Sequence, residues 1–86
     1  MLISDLEAGD KIKFTDRYLD YWRFQYRTWC DKCRNRIFEV SRISISGNEI
    51  SIWSDEYPEI NRVGVNFDGL DNGGRKVFEI VELKDD

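Results

Sequence analysis

The chain has 86 residues, 41% of them hydrophobic and 35% charged, with a formal net charge of −4. That length supports one hydrophobic core and not two, and the composition is that of a globular chain rather than a disordered one. Histidine is absent, which excludes Ser-His and Cys-His catalytic pairs and removes the commonest general base and metal ligand together.

The opening MLISDLEAGD carries neither a basic region nor a long apolar stretch, so no secretory signal is expected. No apolar run approaches the ~20 residues that span a bilayer. The chain is therefore expected in the cytoplasm, without membrane contact. Gly9 and Asp10 read as a turn, and Lys11-Ile12-Lys13-Phe14 alternates polar and apolar residues as a strand does. The segment AGDKIKF is similar to the first strand of many SH3-like barrels.

Residues 18–33, YLDYWRFQYRTWCDKC, hold six aromatic rings and both cysteines. Two periods compete there. A helix would align Tyr18, Trp22, Tyr26 and Trp29 on one stripe, whereas a strand would place Trp22, Phe24 and Tyr26 on one face against Arg23, Gln25 and Arg27. Aromatic residues favour strands, and the segment runs into a Cys-x-x-Cys turn followed by RIFEV, so the pattern predicts a strand over residues 21–29. Its Trp22, Phe24 and Tyr26 face would be core.

RIFEVSRISIS alternates, but apolar residues occur on both of its faces, which predicts a bulge or sharp bend near Val40. Gly47-Asn48 then separates it from Glu49-Ile50-Ser51-Ile52-Trp53-Ser54, and the two runs predict a β-hairpin. DEYPEIN reads as a loop set by Pro58, and RVGVNF as a short strand. DGLDNGGR is rich in Gly and Asn, which accept positive φ, and reads as a turn. It misses the calcium-loop pattern because Leu70 stands at the third position. Lys76 to Leu83 would close the sheet.

Five or six short strands punctuated by turns predict an all-β fold. The expected architecture is one small, strongly bent barrel of the SH3-like or OB-like kind, spanning residues 1–86 as a single domain.

Such a barrel is too small to bury every ring of the aromatic stretch. Tyr18, Tyr21 and Trp29 would remain outside beside Arg23, Arg27, Arg34 and Arg36, and Tyr, Trp and Arg are the residues enriched at binding hot spots. These seven residues form the expected partner-binding set. Residues 17–42 carry seven basic and three acidic side chains, and residues 43–86 carry four basic and ten acidic. Unless folding mixes the segments, the molecule presents faces of unlike charge. The acidic run Asp55, Glu56 and Glu59 is a solvated loop, or a patch that docks on a basic protein.

Cys30 and Cys33 have the spacing of half a zinc site, yet four ligands are needed and the chain offers two thiolates and no imidazole. No cofactor is expected; the alternative is zinc held by Cys30 and Cys33 and completed by carboxylates or a second chain. No catalytic set is visible. The reading is a non-enzymatic protein-binding module, a small inhibitor or adaptor of the kind phages and mobile elements encode. The alternatives are a small barrel binding single-stranded nucleic acid and a zinc-stabilised dimer.

Overall fold

The computed structural model describes residues 3–56 and 64–84. After a 3-10 turn at Ile3–Asp5, the chain forms β1 (Lys11–Phe14), α1 (Asp16–Trp22), α2 (Arg27–Cys33), β2 (Phe38–Glu39), β3 (Arg42–Ser46), β4 (Glu49–Trp53) and β5 (Phe78–Glu82). The strands make two open sheets, a three-stranded one in the order β2-β1-β5 and the hairpin β3-β4. The protein is thus mixed α/β, and the expected closed SH3-like or OB-like barrel is not formed.

The predicted strand over residues 21–29 is not formed: the end of α1, a turn at residues 23–26 and the start of α2 take its place. Thr15 has extended φ and ψ, and its hydroxyl accepts the Tyr18 N–H at 3.2 Å, which caps the first turn of α1. The same hydroxyl donates to the Lys76 carbonyl, so the cap is anchored to the segment leading into β5. The helix ends at Trp22, whose carbonyl accepts the N–H groups of Gln25 and Tyr26 at 3.1 and 2.9 Å. α2 then starts at Arg27 without a side-chain cap. It stops where Asn35 takes φ of 63°, the left-handed conformation that closes helices and that Asn tolerates better than most residues. Helices of this length are marginal alone, so their stability comes from packing. Arg34 joins the pair, reaching Asp16 at 3.0 Å and Asp20 at 2.7 Å across the gap between α2 and α1.

The helices bury Tyr18, Leu19, Cys30 and Cys33, and the sheets supply Ile12, Phe14, Phe38, Ile50, Ile52 and Phe78 to the same core. Phe14 lies at its centre. Its ring is stacked on Tyr18 at 5.7 Å, meets Trp29 and Phe38 edge-on at 5.2 and 5.8 Å, and lies 4.9 Å from Phe78, its cross-strand partner in β5. Trp22, Phe24 and Tyr26 do not form the expected buried face: Phe24 is 84% exposed, Tyr26 is 54% exposed, and Trp22 is only half-buried against the core.

The bend expected near Val40 divides RIFEVSRISIS between the two sheets, with β2 before it and β3 after it. The hairpin has the predicted turn. Ser46 pairs with Glu49 across Gly47-Asn48, and Gly47 has φ of 60°, as the first central position of a type II′ turn requires. Val65 makes only an isolated bridge to Ile50, while the rest of the loop around Pro58 and the start of RVGVNF lie outside the described residues. The Gly- and Asn-rich segment forms turns, with φ of 81° at Gly69 and 76° at Gly74. Asp71 accepts the N–H groups of Gly73 and Arg75, both at 2.9 Å.

Asp10, buried between the ends of the described chain, accepts the N–H of Lys84 at 2.8 Å and that of Glu7 at 2.8 Å. These two bonds, Lys84 first, hold its carboxyl below its ordinary value of 3.8. A carboxylate with a depressed folded pKa contributes stability that is complete above the unfolded value and is lost as pH falls through the folded one. Asp10→Ala should therefore cost about 1–3 kcal/mol at neutral pH and leave a shallower acid limb below pH 3.8, read by urea unfolding as a function of pH. In the same assay Phe14→Ala should cost about 3–5 kcal/mol, whereas Phe24→Ala should stay within about 0.5 kcal/mol, because only the first ring is packed.

Candidate functional site

Of the large apolar side chains exposed among the described residues, Tyr21, Phe24 and Tyr26 gather at the turn between α1 and α2. Phe24 stands at its tip, with Tyr21 (47% exposed) at the end of α1 and Tyr26 at the start of α2. Trp22 lies between the two tyrosines, 5.1 Å from the Tyr21 ring and 5.9 Å from that of Tyr26. It is thus a half-buried base on which exposed rings rest. A shallow groove beside them is lined by Asp20, Arg23, Phe24 and Arg27.

Charge is arranged tightly here. The Asp31 carboxylate takes Arg23 Nε at 3.3 Å on one oxygen and Arg27 Nε at 3.9 Å on the other. Both side chains stay accessible to solvent, Arg27 at 76% and Arg23 at 49% exposure. Each pair is a surface pair of small energetic weight, but together they fix the direction in which the two guanidiniums project. On the other flank Arg75 lies over the Tyr21 ring at 3.6 Å and is itself held by Asp71 at 3.0 Å. One face of Tyr21 is therefore already occupied.

Of the seven residues expected to form a binding surface, Tyr21, Arg23 and Arg27 come together on this turn. Tyr18 does not face outward; it is buried against Phe14, and burial first, then the charge of Asp71, pushes its hydroxyl up to about 12. Trp29 packs edge-on against Phe14, Arg34 is engaged with Asp16 and Asp20, and Arg36 lies over the buried Phe38 ring at 5.2 Å. Phe24 and Tyr26 belong to the surface, although the strand reading had placed both inside. The sequence carried no signal for their exposure, because the stripe Tyr18, Trp22, Tyr26, Trp29 runs through the turn without a break and Tyr26 lies on it. Of the acidic run, Asp55 and Glu56 are exposed; Glu59 lies outside the described residues.

Cys30 and Cys33 are free thiols one helical turn apart on α2, both fully buried in the core. The strand–CxxC–strand layout of a zinc ribbon is absent, because the motif is helical. Among the described residues no group of three or more Cys, Asp or Glu side chains is placed to hold a metal ion. Burial pushes both thiols upward in pKa, against the opposing charge of Arg34 at Cys30 and of Arg36 at Cys33. No helix among the described residues is long and apolar enough to cross a membrane.

Comparison with protein-family models, with curated proteins and with solved structures finds no match to this chain, so the SH3-like likeness of AGDKIKF and a phage origin gain no support there.

Enclosed, protonated thiols are poor nucleophiles. Both cysteines should resist alkylation by iodoacetamide at neutral pH in the folded protein and react together once urea unfolds it, as intact-mass spectrometry will report.

Proposed function

We propose that the chain is a non-enzymatic protein-binding module, an adaptor or inhibitor, whose contact face is the α1–α2 turn with Phe24 as its anchor. The observation that carries this reading is the 84% exposure of Phe24 between two outward arginines and two exposed tyrosines. Isolated exposed apolar residues are ordinary, but a cluster of rings with a polar rim marks a protein contact. Phe24 supplies apolar area that is recovered only when a partner pocket covers it. Tyr21 and Tyr26 add rigid rings with hydroxyl handles, and Arg23 and Arg27 offer planar donors that suit carboxylates at the rim of such a pocket.

Charge favours a protein over a nucleic acid. Arg23 and Arg27 share Asp31, and Arg34 is occupied by Asp16 and Asp20. Three of the seven cations of residues 17–42, those of the helical pair nearest the rings, are thereby paired with carboxylates of the same chain, and phosphate binding depends on unneutralised cations.

Immobilised protein should capture a partner protein from the source lysate, and nuclease treatment should leave the capture intact. The double variant Phe24→Ser/Arg27→Ala, whose side chains lie outside the core, should keep its circular dichroism and melting point. It should bind about 30-fold or more weakly, as loss of a hot-spot ring requires. Undiminished capture by the folded double variant, or capture abolished by nuclease, would overturn the proposal.

A further inference from the structure

The guanidinium that covers Tyr21 also walls a small cup. Among the described residues the cup is lined by Tyr18 and Trp22 of α1 and by Gly64, Asp71, Gly73 and Arg75, and it measures about 200 Å³. Pockets for drug-sized molecules begin at ~300 Å³, so a ligand here has only a few heavy atoms.

The hydrogen bonding of the cup is one-sided. Asp71 is spent: Oδ1 accepts the N–H groups of Gly73 and Arg75, and Oδ2 accepts Arg75 Nε at 3.0 Å. Arg75 commits only Nε to that pair, and neither Nη1 nor Nη2 has an acceptor among the described residues. The guanidinium is nevertheless held in place. It lies 3.6 Å over the Tyr21 ring, and so close to Gly73 that a Cβ there would stand 2.5 Å from Nη1 and 2.6 Å from Nη2. Glycine at position 73 is what makes room for it.

Tyr18 supplies the second donor. It is 8% exposed, and its ring is stacked on Phe14 in the core. Its hydroxyl lies in the field of Asp71 and Arg75, the two charged walls of the cup. No acceptor among the described residues takes the hydroxyl proton. The Trp22 indole N–H, buried and short of a full hydrogen bond, is turned toward the Tyr18 oxygen, which leaves the hydroxyl to donate elsewhere. Buried polar groups are nearly always partnered, and the strong groups left over here are donors.

We propose that the cup binds a small monocarboxylate, held by the Nη groups of Arg75 and the hydroxyl of Tyr18. A planar carboxylate matches the guanidinium fork. Single charge follows from the walls, because Asp71 and Arg75 cancel and a dianion would face Asp71 without compensation. With its pKa pushed up to about 12 the phenol keeps its proton at neutral pH, so it donates to the anion and does not repel it. The carboxylate is that of a free acid or of an Asp or Glu side chain on a partner, and the site does not depend on the contact face proposed above.

Sodium acetate should move the Trp22 indole resonance along a saturable curve in a proton–nitrogen correlation spectrum, where Trp22→Phe identifies the peak. Sodium chloride and sodium phosphate at the same ionic strength should not. Tyr18→Phe, which removes the hydroxyl and keeps the ring on Phe14, should weaken acetate about tenfold, as loss of a hydrogen bond to a charged group does. Arg75→Gln should abolish the response. Both variants should keep the circular dichroism, and Tyr18→Phe decides alone if Arg75→Gln unfolds. N-acetylglutamate methylamide, titrated beside acetate, reports the source: tighter binding than acetate marks a partner's side chain, weaker binding a free acid, and either supports the site. An acetate response that does not saturate, that chloride or phosphate reproduces, or that Tyr18→Phe leaves unchanged would overturn the proposal.

Discussion

The ring of Phe14 is the point at which both helices and the three-stranded sheet meet. It projects from β1 and touches Tyr18 of α1, Trp29 of α2, Phe38 of β2 and Phe78 of β5. Contacts of this kind contribute about 0.5–1.5 kcal/mol each beyond the area they bury, and here they share one partner. The placement of both helices and the integrity of the sheet are therefore coupled through that side chain. A chain of this size has a small core, and concentrating five rings at one point makes the interior dense without making it wide.

That economy explains the surface. Each helix is seven residues long, about two turns, and turns one narrow face inward. Tyr18 and Leu19 occupy the inward face of α1, and Cys30 and Cys33 that of α2. The intervening Arg23-Phe24-Gln25-Tyr26 turn has no neighbour among the described residues that covers Phe24. The outward rings are thus a geometric consequence of breaking one aromatic stretch into two short helices. The surface ion pairs of Arg34 with Asp16 and Asp20, and of Arg23 with Asp31, run between the two halves of the broken helix, each with small energetic weight. They also determine how the exposed guanidiniums sit beside the rings.

The hairpin follows a separate logic. Its inward isoleucines Ile50 and Ile52 complete the core, while β3 stands one strand further out and is only partly covered. Its backbone polarity is set by the Ile50–Val65 bridge on the far side of β4. A segment distant in sequence thereby determines which amides of β3 reach solvent.

The sequence by itself determined the features that depend on neighbours a few residues apart. Gly47-Asn48 between two alternating runs specified the hairpin, Lys11-Ile12-Lys13-Phe14 specified β1, the double-faced apolar pattern specified the bend at Val40, and the glycines specified the turns before β5. Residues 15–33 were undecidable on those terms. Aromatic residues suit either period, the Thr15 cap is one hydroxyl, and β-propensity reflects the surroundings more than the backbone. What settled them was tertiary: the pocket around Phe14, assembled from strands far along the chain, accepts Tyr18, Trp29 and the two cysteines in helical spacing. Two-turn helices have too little internal free energy to declare themselves without that pocket. The barrel expectation failed for the same reason, because once these residues cover the core as helices the sheet has no need to close on itself.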